Sequence, residues 1–363
     1  MHAAARLDRA TVIGLALGVA GVLALLVLQP FFSTTRGYGY DLQAYVAAAQ
    51  RVAAGGTPYQ PETLGGPFSP GPAGLYLYPP PLAALLAPFS GLPFEVIAAG
   101  WWILRVGALA GGCALLPVPA WIRGVLLGVA AISYPVLIDL NLGNVSLIVL
   151  LLTVCAWRWL DRPAGSIAVA GALALRPTLV VLPLWSLLRR QWRAVAWTVG
   201  AGLALILLTL PLVGLGAYGD YLTVLRNLSG LTGVERNVDL GSAALLLGLP
   251  DWVAQLALLA GYALAVLAIG LGLRRDRDTG FVVTVMASLL LAPLLWVHYL
   301  VALLLPAALL AARGYAWAVL LPLLGWLPEP TLPLVAVAAS LLPFLGSRTL
   351  DARPTTAAVA QPG

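Results

Sequence analysis

The sequence is poor in charged residues, cysteines and histidines. Only 9% of its 363 residues are charged, two are cysteines and two are histidines, whereas an average soluble domain has about 25% charged residues. This composition argues against a soluble globular fold. Both Cys113 and Cys155 lie within apolar runs, so we expect no structural disulfide. No Cys/His spacing typical of a zinc site occurs, and we expect neither a metal nor another cofactor.

Apolar residues make up 61% of the chain, and its mean hydropathy is +0.95. The first apolar run, residues 11–32, would form a helix about 33 Å long, enough to cross a bilayer. With this run there are about twelve, the others being residues 80–92, 94–116, 120–139, 145–160, 165–188, 194–213, 243–272, 280–297, 299–312, 315–327 and 331–345. The pattern predicts an all-α polytopic membrane protein with about twelve transmembrane helices, several of them short or broken. We expect one membrane domain over residues 1–346.

The few charges predict how the chain lies in the membrane. The formal net charge is +6, and such an excess usually lies in cytoplasmic loops that face anionic membrane lipids, so no nucleic-acid partner is expected. Arginines cluster within residues 189–193 and 274–278. Placing both clusters in the cytoplasm puts two longer segments, residues 33–78 and 214–242, outside. Residues 347–363 are then a flexible cytoplasmic tail.

The sequence leaves two topologies open for residues 80–188. If residues 80–92 cross the membrane fully, Asn144 is cytoplasmic, while Arg158 and Arg162 face outside. If they only enter the membrane and return, Asn144 faces outside and both arginines are inside. The positive-inside rule favours the second topology.

The first outer segment carries Asp41, nine positions after the end of the first apolar run. Leu42, Tyr45, Ala49 and Val52 share one helical face, which predicts an amphipathic helix over residues 42–54 on the membrane surface. Asp41 would be its N-cap residue, a common structural role. An acidic residue at a membrane boundary is also a candidate functional group. Asp41 is therefore our candidate for a catalytic base.

Four motifs occur in an order that resembles a known family. The motifs are Asp41…Tyr45 with Gly55-Gly56-Thr57-Pro58-Tyr59; Tyr78-Pro79-Pro80; Gly143-Asn144-Val145-Ser146 with Ala164-Gly165 and Leu175-Arg176-Pro177; and Ala292-Pro293-Leu294-Leu295-Trp296-Val297-His298. Together they resemble glycosyltransferase family 87, a group of bacterial polyprenyl-phosphate-mannose-dependent α-mannosyltransferases with the GT-C fold. The resemblance covers about residues 10–320.

The chain departs from the family pattern at several positions. The family usually has Gly-Gln-x-Asn where this chain has Gly143-Asn144-Val145-Ser146, and often has Lys in place of Arg176. A second histidine is common where Tyr299 stands. The outer-loop Asn-x-Ser of the family is Asn237-Val238-Asp239 here. These departures leave the identity of the sugar open between mannose, arabinose and another sugar.

The resemblance implies a hexosyltransferase of the bacterial cell membrane. It would move a hexose, with mannose the first expectation, from a polyprenyl-phosphate donor to a hydroxyl of a glycolipid or glycan on the outer face. Inversion would convert a β-linked donor into an α-linked product. The reaction needs a base for the acceptor hydroxyl, here Asp41, and groups that stabilise the departing phosphate. The alternatives are a transporter or lipid flippase and a structural membrane protein; the sequence shows no internal repeat that would favour transport.

Further site residues follow from the same resemblance. We expect His298, Arg176, Asn144 and Arg105 to contact the phosphate or the sugar of the donor. Purely structural roles remain open, because His298 could belong to an aromatic belt and either arginine could pair with a buried acid, Asp139 or Glu95 in the case of Arg176. On the acceptor side, the candidates are Arg236 and Asp239 in the second outer segment.

Overall fold

The computed structural model of the protein describes residues 8–35, 37–66, 74–228 and 236–347. These residues form α-helices and short 3₁₀ helices without a β-strand, which confirms the all-α class. The α-helices are α1 Arg9–Phe32, α2 Tyr40–Ala53, α3 Pro61–Leu64, α4 Pro80–Leu86, α5 Phe94–Leu115, α6 Ala120–Ala131, α7 Tyr134–Leu142, α8 Ser146–Arg158, α9 Pro163–Leu175, α10 Val181–Leu188, α11 Trp192–Val213, α12 Gly216–Leu228, α13 Leu240–Leu246, α14 Asp251–Gly272, α15 Arg277–Leu290, α16 Leu304–Ala312 and α17 Leu332–Leu341. The 3₁₀ helices are Ala87–Phe89, Pro177–Val180, Val297–Leu303, Ala316–Trp326, Glu329–Thr331 and Leu342–Phe344. The predicted tail lies outside the described residues, apart from Ser347.

Four of the described helices, α1, α5, α11 and α14, are long and apolar enough to cross a membrane. Helices α6 and α7 make a fifth span if the pair, bent by 60°, is one segment. The remaining apolar helices are shorter, and the expected number of about twelve spans is not confirmed. Several predicted spans are too short because the helices are broken. Prolines occupy the first turns of α4, α7 and α9. Proline is tolerated in the first turn of a helix, but it cannot continue the helix that precedes it.

Glycines bring helices α1 and α6 into close contact. Gly14 and Gly18 of α1 pack against Gly124 of α6, and Gly21 packs against Gly128. A Cβ atom at position 124 would overlap the carbonyl of Gly14. Small residues four positions apart let two membrane helices approach at the level of their backbones. This contact fixes α1, which leads directly into the segment that carries Asp41.

One face of the bundle collects the arginine-rich loops. The carboxylate of Asp161 pairs with Arg277, and the indole of Trp157 donates to Asp278 Oδ1 at 3.0 Å. Arg189 donates to the carbonyl of Arg275 at 3.2 Å. These bonds place residues 157–162 beside the loops at 189–193 and 274–278. We call this side the arginine-rich face.

The opposite face carries the two predicted outer segments, which pack against each other. Thr57 donates to Asp220 Oδ2 at 2.7 Å, and the rings of Tyr59 and Tyr221 stack with centroids 6.2 Å apart. Helix α2 forms as predicted, but its apolar residues pack on α4 and the adjacent 3₁₀ helix. The prediction that this apolar side lies on the membrane surface is therefore wrong, because protein covers it.

The position of Asn144 can be compared with the two predicted topologies. Asn144 lies two residues before the start of α8 and bonds to Asp41, on the face opposite the arginine-rich one. Arg158, at the other end of α8, and Arg162 lie at the arginine-rich face. This arrangement agrees with the topology in which residues 80–92 enter the membrane and return, with α4 packed against α2.

Candidate functional site

Asp41 lies in the first turn of α2, but it is not the N-cap residue that the sequence suggested. The helix begins at Tyr40, and Gly39 is its N-cap in the left-handed conformation with φ 68°. The backbone N–H of Gly39 donates to the carbonyl of Asn141 at 2.7 Å, which ties the start of α2 to the end of α7. The half-buried carboxylate of Asp41 is thereby free to make contacts other than a helix cap.

Asn144 holds this carboxylate. Its Nδ2 donates to Asp41 Oδ2 at 2.7 Å and to the hydroxyl of Tyr78 at 2.9 Å, and so uses both of its amide hydrogens. Gly143, with φ 80°, ends α7 and turns the chain toward Asp41. A Cβ atom at Gly143 would lie 2.6 Å from the Cβ of Leu42, so glycine also permits the close approach of α2. Asn144 itself is buried.

Ser146 connects Asn144 to Arg176. The hydroxyl of Ser146 donates to Asn144 Oδ1 at 3.0 Å and accepts from Arg176 Nη2 at 2.6 Å. A continuous chain of hydrogen bonds thus runs from Asp41 through Asn144 and Ser146 to Arg176. The sequence analysis did not predict Ser146 or Tyr78 as site residues. Both belong to the motifs that carry the family resemblance, and that membership was the available indication.

The far end of this chain meets the residues before α16. The guanidinium carbon of Arg176 lies 3.8 Å from the centroid of the Tyr299 ring, at cation–π distance. His298 is buried beside it, with its ring 5.0 Å from Tyr299 and 5.8 Å from Trp296. Among the described residues, His298 Nε2 has no hydrogen-bond partner although it is buried. Such an atom usually has a partner in a native structure, which makes it a candidate contact for a bound molecule.

Arg105 has a different environment from the one expected of a donor contact. It is buried within α5, with its Nη1 3.7 Å from Asp139 Oδ1, and it donates to the carbonyls of Trp101, Asp139 and Leu140. Asp139 Oδ2 accepts from the backbone N–H of Ser146 at 3.1 Å. The acid that sequence reasoning offered to Arg176 therefore pairs with Arg105. This ion pair supports the turn that carries Asn144.

The acceptor-side candidates lie in the second outer segment. Asp239 caps α13 by accepting from the Ser242 N–H at 2.7 Å, and its other oxygen accepts from Asn237 Nδ2 at 2.5 Å. Asn237 Oδ1 accepts in turn from the Leu295 N–H at 2.8 Å. Arg236 is exposed, with φ 63°. Through Asn237, Asp239 thus links the second outer segment to Leu295, three residues before His298.

Within the described ranges, no three His, Cys, Asp or Glu side chains lie together in a way that could hold a metal ion. The expectation of a metal-independent reaction stays a prediction.

Burial sets the charge behaviour of Asp41. Loss of solvent raises the pKa of its carboxyl from 3.8 to about 6, against smaller lowering effects of the Asn144 hydrogen bond and the charge of Arg105. The group is therefore largely ionised at neutral pH, yet it is a stronger base than an exposed aspartate. One carboxylate oxygen accepts from Asn144, and the other has no hydrogen-bond partner among the described residues.

Known proteins resemble this chain over most of its length. It is 26% identical over 343 residues, 90% of this chain and 77% of the relative, to the polyprenol-phosphate-mannose-dependent α-(1-2)-phosphatidylinositol pentamannoside mannosyltransferase of Mycolicibacterium smegmatis. It is 30% identical over 195 residues to α-(1→3)-arabinofuranosyltransferases from two strains of Mycobacterium tuberculosis, covering 49% of this chain and 43% of each relative. No solved structure matches the chain.

The family comparison covers the middle of the chain. The match spans residues 76–293, more than half of the sequence, and includes Asn144 and Arg176. Asp41 and His298 lie on either side of the matched residues. This protein therefore belongs to glycosyltransferase family 87.

Proposed function

We propose that this chain transfers a hexose, with mannose as the first choice, from a polyprenyl-phosphate donor to a hydroxyl of a glycolipid or glycan. The mannose donor is suggested by the M. smegmatis relative, whose name states dependence on polyprenol-phosphate-mannose. The arabinofuranosyltransferase relatives make a pentose the first alternative to test. The reaction takes place at the face that carries Asp41, which we assign to the outer side of a bacterial plasma membrane.

The observation that carries this proposal is the chain of hydrogen bonds from Asp41 to Arg176. It fixes a carboxylate and a guanidinium group relative to each other through two buried side chains, Asn144 and Ser146. A glycosyl transfer from a lipid phosphate needs both groups, the first as a base and the second beside the departing phosphate.

Asp41 would accept the proton of the acceptor hydroxyl as that oxygen attacks the anomeric carbon. The oxygen that Asn144 does not contact is the one we assign to this proton. The attack breaks the bond from the anomeric carbon to the phosphate oxygen, and the bonding electrons leave with the phosphate. A single displacement inverts the anomeric centre, as in inverting hydrolysis with the acceptor hydroxyl in place of water.

Arg176 would stabilise the departing phosphate. Among the described residues, only the Nη2 of Arg176 makes a hydrogen bond, to Ser146, so the guanidinium group keeps donors for phosphate oxygens. His298 lies beside Tyr299, with ring centroids 5.0 Å apart, and among the described residues its buried Nε2 has no partner. The Arg105–Asp139 ion pair, by contrast, acts as a support beneath Asn144, because its donors are already bound to protein carbonyls.

We assign the fold to a GT-C-type bundle in which the shorter apolar helices lie in the membrane between the four long ones. Helix α8 begins at Ser146 and helix α9 ends at Leu175, directly before Arg176, so the polar backbone ends of both helices lie at the site. Such ends are tolerated in a membrane protein where they are buried or line a cavity.

Sugar transfer by the purified protein tests the proposal. The full chain, reconstituted in lipid vesicles, is given polyprenyl-phosphate mannose with a radiolabelled sugar and a phosphatidylinositol mannoside acceptor. We expect a labelled α-linked product from the wild type and a rate lower by about 100- to 10,000-fold for Asp41→Asn, which is the usual contribution of a general base. Glu95→Gln is the matched control. Glu95 is an exposed carboxylate in the first turn of α5, next to Phe94, whose ring lies against Gly39.

Equal turnover by the wild type and Asp41→Asn would remove Asp41 as the base. Transfer of a pentose but not mannose would correct the donor and keep the reaction type. Movement of the lipid-linked sugar across the bilayer without any transfer would replace the proposal with a flippase.

A further inference from the structure

A second polar groove lies on the arginine-rich face, away from the candidate active site. It has a volume of about 460 Å³ and lies between the beginnings of α9 and α11. Its lining includes three arginines and two tryptophans, namely Arg162, Arg190, Arg193, Trp192 and Trp197. Trp192 is 63% exposed and Trp197 is 48% exposed.

The groove carries positive charge that the protein does not neutralise. Within the described part of the chain, the side chains of Arg162, Arg190 and Arg193 have no hydrogen-bond or ion-pair partner. Asp161 is the one carboxylate among the described residues that line the groove. It pairs with Arg277, so its charge is already compensated.

Two helix beginnings add to this positive field. Helix α9 has 13 residues and α11 has 22, and neither begins with a side-chain cap hydrogen bond. The first N–H groups of each helix therefore lack the usual side-chain acceptor. The positive ends of both helix dipoles also favour an anion at this point. Arginines and helix N-termini together are typical of a phosphate-binding site.

The surroundings of the groove indicate a ligand with an apolar part. Helix α11 is a candidate membrane span, and only 11% of its most apolar 18 residues are buried inside the protein. We therefore expect its exposed side chains to face lipid. In α10, Leu184 and Leu188 are exposed next to it. Tryptophans are enriched at the boundary between lipid and water, where Trp192 and Trp197 would lie. A ligand with a phosphate group at the arginines and acyl chains beside α10 and α11 is a phospholipid.

We propose that this groove binds the headgroup of an anionic phospholipid, with the arginines around the phosphate and the acyl chains along α10 and α11. The groove is separate from the candidate active site. Arg162 precedes α9 and Arg176 follows it, and thirteen helical residues separate them by about 20 Å. The proposal does not depend on the transferase function.

Quenching of tryptophan fluorescence by brominated lipid tests the site. The full chain is reconstituted in phosphatidylcholine bilayers and titrated with brominated phosphatidylglycerol, with brominated phosphatidylcholine as the baseline. We expect selective quenching by phosphatidylglycerol in the wild type. In Arg162→Gln/Arg193→Gln we expect an apparent affinity at least tenfold lower. Arg274→Gln/Arg275→Gln removes the same charge from the same face and should change the affinity less than twofold.

An equal loss in both double variants would overturn the proposal in favour of diffuse attraction to the charged face. Unchanged affinity in Arg162→Gln/Arg193→Gln would also overturn it. Glycerol 3-phosphate and inorganic phosphate are added as competitors at millimolar concentration. If either displaces the brominated lipid effectively, the groove is a site for soluble phosphates and the lipid assignment is wrong; no competition supports a lipid held by headgroup and chains together.

Discussion

The amide nitrogen of Asn144 lies 2.7 Å from Oδ2 of Asp41, although the two residues are 103 positions apart. The bond joins the first outer segment to the turn between α7 and α8. It also holds the carboxylate in one orientation and lowers its pKa. Asn144 is therefore a positioning residue for the base in the proposed reaction, and its removal should change both rate and pH dependence.

For Asn144→Ala, we expect a rate of sugar transfer lower by about 10- to 100-fold, since misplacement by about 1 Å can cost 10²-fold. The acidic limb of the pH profile should move above pH 6, because the variant loses a hydrogen bond that favours the ionised form. The measurement is kcat/KM for the donor between pH 5 and 9. Asn227→Ala, which removes a bond to the Thr63 carbonyl in the outer segments, should leave the limb in place. A limb that stays unchanged in Asn144→Ala would contradict the positioning role.

Burial of Asp41 predicts opposite effects on stability and activity. Because its folded pKa of about 6 exceeds the ordinary 3.8, the folded state binds the proton more tightly, and stability falls as pH rises from about 4 to 6. Above pH 6, the cost is at most about 3 kcal/mol. Asp41→Asn should therefore raise Tm at pH 8 more than at pH 4.5, while it lowers the rate of transfer by about 100- to 10,000-fold. An equal or lower Tm of the variant at pH 8 would show that the carboxylate is not held at a cost.

Wild-type activity should depend on the ionised form of Asp41. We expect kcat/KM to be level above pH 7 and to fall by about tenfold per pH unit well below pH 6. The limb near pH 6, instead of near 4, is the signature of a buried base. Glu95→Gln should reproduce the wild-type profile. A profile that stays flat down to pH 5 would exclude Asp41 as a group that must lose its proton.

Arg176 should matter for the donor in proportion to its charge and shape. Arg176→Gln is expected to lower kcat/KM for the lipid-phosphate sugar by about 100- to 1,000-fold, the usual cost of a lost charge-stabilising donor. Arg176→Lys should recover only part of this loss, because lysine lacks the planar fork. Tyr299→Phe keeps a ring against the guanidinium group and serves as the control, with a change below about threefold. An Arg176→Gln variant with normal donor kinetics would place the phosphate elsewhere.

The Arg105–Asp139 pair should prove structural. Both side chains are almost fully buried, at 2% and 0% exposure, and loss of one partner of a buried pair costs about 3–5 kcal/mol. We expect Asp139→Asn to lower Tm and the folded yield, with donor KM unchanged in the molecules that fold. The exposed pair offers the control, since Asp161→Asn beside Arg277 should cost below about 1 kcal/mol. Normal stability together with a raised donor KM would instead make the pair part of the binding site.

The contact between α1 and α6 should tolerate no added side-chain atoms. Gly124→Ala forces a methyl group into the carbonyl of Gly14, and overpacking of this kind costs about 1–3 kcal/mol. Gly107→Ala in α5 is the control, because a Cβ there meets nothing within 4 Å. Thermal unfolding in detergent should separate the two variants. If both unfold at the same temperature, the helices do not pack as closely as described.

Several features were predictable because they depend on neighbours in the sequence. The helix over residues 42–54 follows from apolar spacing, and α2 occupies Tyr40–Ala53. Its exact beginning was not predictable, because Gly39 adopts a left-handed conformation and bonds to Asn141. Asp41 therefore lies inside the first turn instead of capping it. A contact with a distant residue outweighed the local preference of aspartate for the N-cap.

The partners of the arginines show the same limit. From the sequence, Arg105 and Arg176 were equivalent cations within apolar runs, and either could have met Asp139 or a phosphate. In the folded protein, Asp139 pairs with Arg105, whereas Arg176 bonds to Ser146 and lies against the ring of Tyr299. Nothing in the spacing distinguishes these outcomes, because the pairing depends on which helices are neighbours.

The sequence by itself determined a helical membrane protein with a rare acidic residue soon after its first apolar run and with motifs of one glycosyltransferase family. These properties depend on composition and on residues close together in the chain. The tertiary structure decided which side of the bundle holds Asn144, how few helices are long enough to span a membrane, and that Asp41 and Arg176 belong to one hydrogen-bonded chain. These properties depend on contacts between residues 30 to more than 100 positions apart, which helix packing fixes and local sequence patterns do not encode.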